Sequence, residues 1–103
     1  MDLGSLNNTT LLAIVCDFIL ALKEIDVIMG MSNDKNRIAL SVRSESKNLP
    51  ADKVIQEITK GLGNGGGHKT MAAGAILIKD GDNLAKLKKI IRQRFFKLQK
   101  VIT

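Results

Sequence analysis

The sequence predicts a single α/β domain in which helices flank a small mixed β-sheet. Two kinds of pattern alternate along the chain: apolar residues at intervals of three and four, typical of helices, and apolar residues at every second position, typical of strands. The chain has 103 residues, of which 45% are hydrophobic and 25% charged. This composition is that of a folded protein, and the length suits one modest core.

The first predicted element is a helix over residues 9–23, and residues 1–8 are interpreted as a linker or an artificial end. Asn8, Thr9 and Thr10 offer side chains that can cap the helix. The helix is apolar around nearly its whole circumference, and Asp17 is the only charge within residues 11–22. Such a helix is normally covered on more than one side, so we expect it to face a partner surface. Cys16 lies in this helix and is predicted to be a core residue.

Two strands are predicted next, over residues 25–31 and 37–44, joined by the turn-forming residues 32–36. In the second strand, Ile38, Leu40 and Val42 alternate with polar or small residues. Side chains of a strand point alternately to its two faces. Arg43 is therefore expected on the face opposite the apolar residues, together with Arg37, Ala39 and Ser41.

The second half of the chain predicts a helix over residues 50–60, a strand over residues 75–79 and a last helix from residue 84 to the end. Pro50 suits the first turn of a helix, and Gly61 or Gly63 can end it in a left-handed conformation. Asn83 is a possible cap of the last helix. That helix holds seven basic residues and no acid, which are Lys86, Lys88, Lys89, Arg92, Arg94, Lys97 and Lys100. The whole excess of the net charge of +6 therefore lies on this element, either as a solvated face or as a surface for a polyanion.

Residues 63–74, GNGGGHKTMAAG, combine five glycines with the only histidine of the chain. Consecutive glycines can turn several amide N–H groups toward one point, which makes a cradle for an anion. We expect a loop here, and a short helix from about His68 to Ala73 would add partial positive charge at its N-terminus. A flexible connection is the alternative interpretation. The spacing matches neither the phosphate loop of nucleotide-binding ATPases nor the dinucleotide-binding fingerprint.

Several classes of protein are disfavoured by composition. The absence of Trp and Tyr removes the aromatic platforms on which many single-strand binders stack bases. One cysteine cannot form an internal disulfide, no secretory signal segment opens the chain, and no apolar run approaches the ~20 residues that span a bilayer. We therefore expect a cytoplasmic protein with no membrane contact.

The glycine segment resembles the G-G-G-H-x-x-A-A-G signature of the DHH-associated C-terminal domain of DHH-family phosphoesterases, the group that contains RecJ exonucleases and nano-RNases. The matching residues are 65–68 and 71–74, although three residues rather than two separate His68 from Ala72. Residues 41–44, Ser-Val-Arg-Ser, are similar to the S-x-R-S strand of the same domain. The resemblance covers about residues 9–100, and it implies that residues 9–103 form a substrate-binding domain.

In that family the arginine of the strand and the glycine loop with its histidine hold the phosphate or the terminal nucleotide of the substrate. The resemblance therefore implies a phosphate-binding site whose main residues are Arg43, Ser44, Gly65, Gly66, Gly67 and His68. Ser41 and Lys69 are secondary candidates for the same site. Arg43 alone would be interpreted as a solvated residue, but a guanidinium group is also a forked phosphate donor. His68 is interpreted as a phosphate donor rather than as a catalytic acid.

The catalytic machinery of the family lies outside this chain. The D-H-H triplet is absent, and a single histidine with scattered aspartates does not suffice for a two-metal site. The resemblance thus implies no metal and no catalytic residue here, with manganese held by a separate N-terminal DHH catalytic domain. The chain alone is expected to bind an oligonucleotide or phosphorylated nucleotide without cleaving it, and a homodimer is possible.

An alternative function remains open. A related domain lies at the C-terminus of alanyl-tRNA synthetases, so the chain could be a non-catalytic RNA-binding module, although that relative tends to lack the histidine after the glycines. A pure oligomerisation domain would leave the glycine segment unexplained. The sequence does not choose between oligonucleotides, cyclic dinucleotides, adenosine bisphosphate and polyphosphate as substrates, because phosphate contacts carry no information on the base.

Overall fold

The computed structural model describes residues 1–5, 8–23 and 25–102. Within these residues, three helices and four strands follow one another: α1 (Thr9–Lys23), β1 (Val27–Asn33), β2 (Arg37–Ser44), α2 (Ala51–Thr59), β3 (Gly63–Gly67), β4 (Met71–Leu77) and α3 (Leu84–Ile102). The strands form one sheet in the order β1-β2-β4-β3. The predicted fold class, a single α/β domain with a small sheet and flanking helices, is confirmed.

The pairing within the sheet is antiparallel at each of its three strand interfaces. Two of these pairs are hairpins, and a loop of three residues can join only antiparallel neighbours. Among the residues that the structure describes, the parallel pairing is one bridge between Asp2 and Met31 at the edge of the sheet. The sheet is thus antiparallel in its strands rather than mixed, which corrects that detail of the prediction.

The main core lies between one face of the sheet and helices α2 and α3. Ile38, Leu40 and Val42 of β2 point to this face and are fully buried, as the alternation of β2 predicts. They pack with apolar residues of α2 and with Ile91 of α3. Arg94 of α3 links this helix to α2, because its Nη1 donates to the carbonyl oxygens of Ile58 and Lys60 at the end of α2.

Helix α1 covers part of the opposite face. Leu12 and Cys16 are buried there against Ile28 of β1, and burial raises the pKa of the Cys16 thiol. A Cβ atom on Gly30 would lie 2.6 Å from Cys16 Sγ. The glycine in β1 therefore lets α1 approach the sheet closely, and the prediction of Cys16 as a core residue is confirmed.

The outer side of α1 carries an apolar stripe. Leu11, Ile14 and Phe18 are 41%, 57% and 62% exposed, and their spacing of three and four places them on one side of the helix. This is the surface for which the sequence predicts a partner. The identity of that partner stays a prediction.

Two of the helices begin at side-chain caps that the sequence predicts. Asn8 Oδ1 accepts from the N–H of Leu11 at 3.0 Å, and Asn83 Oδ1 accepts from the N–H of Lys86 at 3.2 Å. Pro50 is the N-cap of α2 rather than a member of its first turn. Gly61, with φ of 76°, follows the helix in the left-handed region.

The glycine segment is a β-hairpin, so the expected loop followed by a short helix is wrong. Residues 63–67 pair with residues 72–76, and the turn between them is closed by the N–H of His68 donating to Met71 O at 2.7 Å. In this hairpin, helix α2 packs directly against the backbone of Gly65 and Gly74, where a larger residue would not fit. Ile55 Cγ1 of α2 would lie 2.6 Å from a Cβ on Gly65 and 3.1 Å from one on Gly74.

Residues near the N-terminus lie along the outer edge of β1. The N–H of Leu3 donates to Met31 O, and the N–H of Met31 donates to Met1 O, both at 2.8 Å. The boundary at residue 8 stays a prediction, although these bonds tie residues 1–4 to the sheet.

Candidate anion-binding cleft

An open cleft of about 470 Å³ lies beside α1 on the sheet face opposite the main core. Its floor is made of small residues from the central strands, including Ala39 and Ser41 of β2 and Ala73 and Ala75 of β4. Thr9, Leu12 and Ala13 of α1 form one wall. Such a volume is within the range of small-molecule sites.

The strand register arranges the residues of this face in rows across the sheet. Arg43 is opposite Met71, Ser41 is opposite Ala73, and Ala39 is opposite Ala75. Gly66 and Asn64 of β3 extend the second and third rows. Residues directly opposite each other in antiparallel strands point to the same face, so the register gives a floor of small side chains with Arg43 at one end.

Charge in the cleft is of one sign. The described residues that line it include two arginines, Arg37 and Arg43, and no carboxylate. A cavity with cationic groups and no lining acid favours an anionic ligand.

Arg43 is a buried arginine whose hydrogen bonds fix its position. Its Nε donates to Asp17 Oδ1 of α1 at 2.6 Å, and its Nη1 donates to Ser41 Oγ at 3.1 Å and to Val42 O at 3.0 Å. The Arg43 side chain is only 10% exposed. Its Nη2 makes no hydrogen bond within the described part of the chain. A held guanidinium with one unused nitrogen at a cleft is a pre-organised donor for a phosphate.

Asp17, the ion-pair partner of Arg43, brings a negative charge to the edge of the cleft. The side chain of Asp17 is 56% exposed, and its carboxylate holds the guanidinium in place while it offsets part of the positive charge. A bound phosphate beside Arg43 would meet this negative charge as well. Asp17 is therefore expected to limit the affinity of the cleft for anions.

His68 falls in the same row as Arg43. Its N–H donates to Met71 O, and Met71 is opposite Arg43. Neighbouring strands are about 4.8 Å apart, so the Cα atoms of His68 and Arg43 are about 10 Å apart across the sheet. The structure thus brings the two main predicted residues to one end of the cleft face, with the half-exposed Met71 between them.

The glycines of the hairpin differ in whether the surrounding atoms would leave room for a side chain. A Cβ on Gly65 would collide with Ile55, and one on Gly67 would collide with the backbone at Met71 and Ala72. A Cβ on Gly66 would meet no atom within 4 Å. Packing within the protein therefore explains Gly65 and Gly67, whereas Gly66 faces open space on the cleft side of the hairpin.

Three other predicted residues have different surroundings. Ser44 lies on the core side of β2, where its hydroxyl donates to Leu49 O at 2.7 Å and accepts from the N–H of Ser46. This geometry gives Ser44 a role in the following loop and does not support it as a phosphate ligand. Ser41 is buried and orients Arg43. Lys69 is exposed in the hairpin turn, and its carbonyl oxygen accepts from the N–H of Ala51 at 2.7 Å.

The sequence patterns do not single out Arg37 and Asn64 of the cleft, nor Asp17, which pairs with Arg43 beside it. Arg37 shares the period of two with Arg43 along β2, and this signal could have identified it. Asn64 lies between glycines and gave no signal. The ion pair of Asp17 with Arg43 joins residues from two elements, and nothing local in the sequence specifies such a pair.

Within residues 1–5, 8–23 and 25–102, no three side chains of His, Cys, Asp or Glu converge as metal ligands would. In the same ranges, no helix has the length and apolar character needed to span a membrane.

Solved structures that share this fold include the following two proteins. The first is the C-Ala domain of alanyl-tRNA synthetase from Aquifex aeolicus, with 22% identity and a TM-score of 0.68, covering 92% of this chain and 86% of that one. The second is an exopolyphosphatase-related protein from Bacteroides fragilis, with 21% identity and a TM-score of 0.57. That match covers 84% of this chain but only 23% of the larger protein.

A search of curated proteins found no relative of this chain. The family comparison gave a match to the DHHA1 domain over residues 3–97, nearly the whole of the chain. The strand with Arg43, the glycine hairpin and the cleft all lie inside the matched range. The chain therefore belongs to the DHHA1 domain family.

Proposed function

We propose that this chain is the substrate-binding domain of a DHH-family phosphoesterase of the RecJ or nano-RNase kind. It holds the phosphate or terminal nucleotide of a substrate while a separate N-terminal DHH domain, with manganese, performs the hydrolysis. The observation that carries the proposal is Arg43, a buried guanidinium with an unused nitrogen at a cleft whose lining has no described acid.

The hairpin supplies the second half of the proposed phosphate site. His68 in the row of Arg43 adds a side-chain donor, and Gly66 leaves the space beside it free of a side chain. The N–H of His68 donates to Met71 O, and in an antiparallel pair the N–H groups of a strand point alternately toward its neighbour and away from it. The N–H groups of Gly65 and Gly67 therefore point away from β4, toward the outer edge of β3. These amides are available to a ligand at that edge.

The division of labour follows from the residues that are present. A phosphoesterase of this kind needs metal ions to activate water and to stabilise the charge that develops on the phosphoryl oxygens. The described residues do not supply such ligands, so this chain positions the substrate and is expected to have no hydrolytic activity alone. The apolar stripe of Leu11, Ile14 and Phe18, next to the cleft on α1, is the proposed contact with the DHH domain, and a second copy of the chain is the other possible occupant.

A second candidate function is a non-catalytic RNA-binding module. The C-Ala domain of alanyl-tRNA synthetase, which shares the fold over most of both chains, favours it. So does the outer face of α3, where Lys86, Lys89, Arg92 and Lys97 are exposed and form no salt bridge with a described acid. This face lies on the far side of the sheet from the cleft, since α3 packs on the core side.

The two functions are tested by calorimetric titration of the chain with a mononucleotide 5′-phosphate, a 5′-phosphorylated dinucleotide, pyrophosphate and a long RNA. Arg43→Gln and His68→Ala should each weaken binding of the phosphate-terminated ligands. Lys97→Gln, a basic residue on the opposite side, should not. Affinity for long RNA that depends on Lys86, Lys89 and Lys97 but not on Arg43 would instead support the RNA-binding module. Binding unchanged in both cleft variants would refute the proposed phosphate site.

A further inference from the structure

The far end of the cleft holds a second arginine that the proposed phosphate site does not use. Arg37 begins β2 on the same face as Arg43, six positions away. At about 3.4 Å per residue, the two Cα atoms are about 20 Å apart. The two guanidinium groups therefore cannot hold one phosphate together, and they suit an elongated anion.

Arg37 is free to meet a ligand. It is exposed and makes no salt bridge with any residue that the structure describes. An acid close to it in the turn is Asp34, whose Oδ1 accepts from the backbone N–H groups of Asn36 and Arg37 at 2.7 Å and 2.9 Å. These bonds fix the Asp34 carboxylate in the β1–β2 turn, so it partly offsets the charge of Arg37 without capping its side chain.

The floor between the two arginines has a different character from its ends. Ala39, Ala73 and Ala75 give a low, largely apolar surface, with Leu12 of α1 at its side. Such a surface can contact the flat faces of bases and sugars, which carry no charge. Asn64 is exposed at the rim, and its side-chain amide can both donate to and accept from a base edge.

We infer that the cleft binds a short linear oligonucleotide at two phosphates, one at the Arg43 end and another at Arg37. The sugars and bases between them lie on the alanine floor. This inference rests on the proposed function for the Arg43 end and adds a second subsite that sets the length of the ligand. Inorganic polyphosphate offers the same separated charges, but it has nothing to place on an apolar floor.

The test measures equilibrium binding to the 103-residue chain at one fixed salt concentration, because phosphate contacts depend strongly on salt. The ligands are adenosine 5′-monophosphate, 5′-phosphorylated triadenylate and linear polyphosphate. Arg37→Gln should weaken triadenylate binding by about tenfold, as expected for the loss of a charge-assisted hydrogen bond, and should leave the monophosphate unchanged. Lys60→Gln, an exposed basic residue directly after α2 on the core side of the sheet, is the matched control and should change neither.

Each other outcome has a definite meaning. Equal effects of Arg37→Gln on monophosphate and triadenylate, or no effect on either, would overturn the second subsite. If Arg43→Gln still abolished monophosphate binding in that case, the proposed function would stand without it. Polyphosphate that binds as tightly as triadenylate would overturn the assignment to oligonucleotides. Failure of the unaltered chain to bind any of the three would overturn both proposals.

Discussion

Two adjacent glycines of β3 provide a matched pair of substitutions with opposite expected effects on stability. In Gly65→Ala, the new Cβ would lie 2.6 Å from Ile55 Cγ1 and 3.2 Å from Ala73 O. Ile55 is fully buried and branched at its Cβ, so it cannot change rotamer to make room for the new methyl group. Gly66→Ala, one residue further, would place its Cβ in open space.

The magnitudes follow from these contacts. Overpacking a core typically costs about 1–3 kcal/mol, and replacing glycine by alanine at an extended position returns about 0.4–1 kcal/mol by restricting the unfolded chain. Gly65→Ala should therefore lower the free energy of unfolding by about 1–2 kcal/mol, which for a domain of this size lowers the Tm by roughly 4–16 °C. Gly66→Ala should raise the free energy of unfolding by about 0.4–1 kcal/mol.

Thermal unfolding followed by circular dichroism measures both variants under the same conditions. Calorimetric titration with a mononucleotide then examines the second role of the pair, because Gly66→Ala should fold well and yet bind phosphate more weakly. Equal destabilisation by the two substitutions would refute the assignment of Gly65 to the packed face of β3 and Gly66 to the cleft face.

Two further predictions concern groups on α1. Asp17→Asn should tighten binding of a mononucleotide 5′-phosphate, since it removes a negative charge beside the phosphate while an amide oxygen still accepts from Arg43 Nε; weaker binding in a calorimetric titration would contradict this. Burial raises the pKa of the Cys16 thiol above 9.0, so above that pH the unfolded chain loses this proton before the folded chain does. The free energy of unfolding, measured with urea, should then fall as the pH rises above about 9, and Cys16→Ala should reduce that fall; an equal fall in the variant would exclude Cys16 as its source.

Local patterns in the sequence predict most of the elements. The boundaries of α1 follow from the cap at Asn8 and the long apolar run, and the alternation of β2 places Arg43 on the correct face. Helix α3 follows from its apolar stripe and from Asn83. In each case the signal lies within a few residues of the structure that it specifies, so no knowledge of distant contacts is required.

The sequence predicts a loop where the structure has the glycine hairpin, because nothing local favours a strand there. Glycine has little intrinsic preference for extended structure, and Gly65 and Gly74 adopt it because Ile55 of α2 packs against them. For the site, residue patterns and family resemblance together selected Arg43 and His68, which the register brings into one row. They also selected Ser44, whose hydroxyl is used within the protein, and they missed Asp17, whose pairing with Arg43 exists only in the folded chain.

The turn that carries His68 is attached to the rest of the molecule through main-chain atoms. The N–H groups of Ala51 and Asp52, which begin α2, donate to the carbonyl oxygens of Lys69 and His68 at 2.7 Å and 3.0 Å, and the N–H of Ser44 donates to Thr70 O at 3.0 Å. These three bonds involve no side chain of the turn. Residues 68–70 can therefore change identity while the turn keeps its place, which makes them a natural position at which related domains, or a protein engineer, can exchange one ligand preference for another.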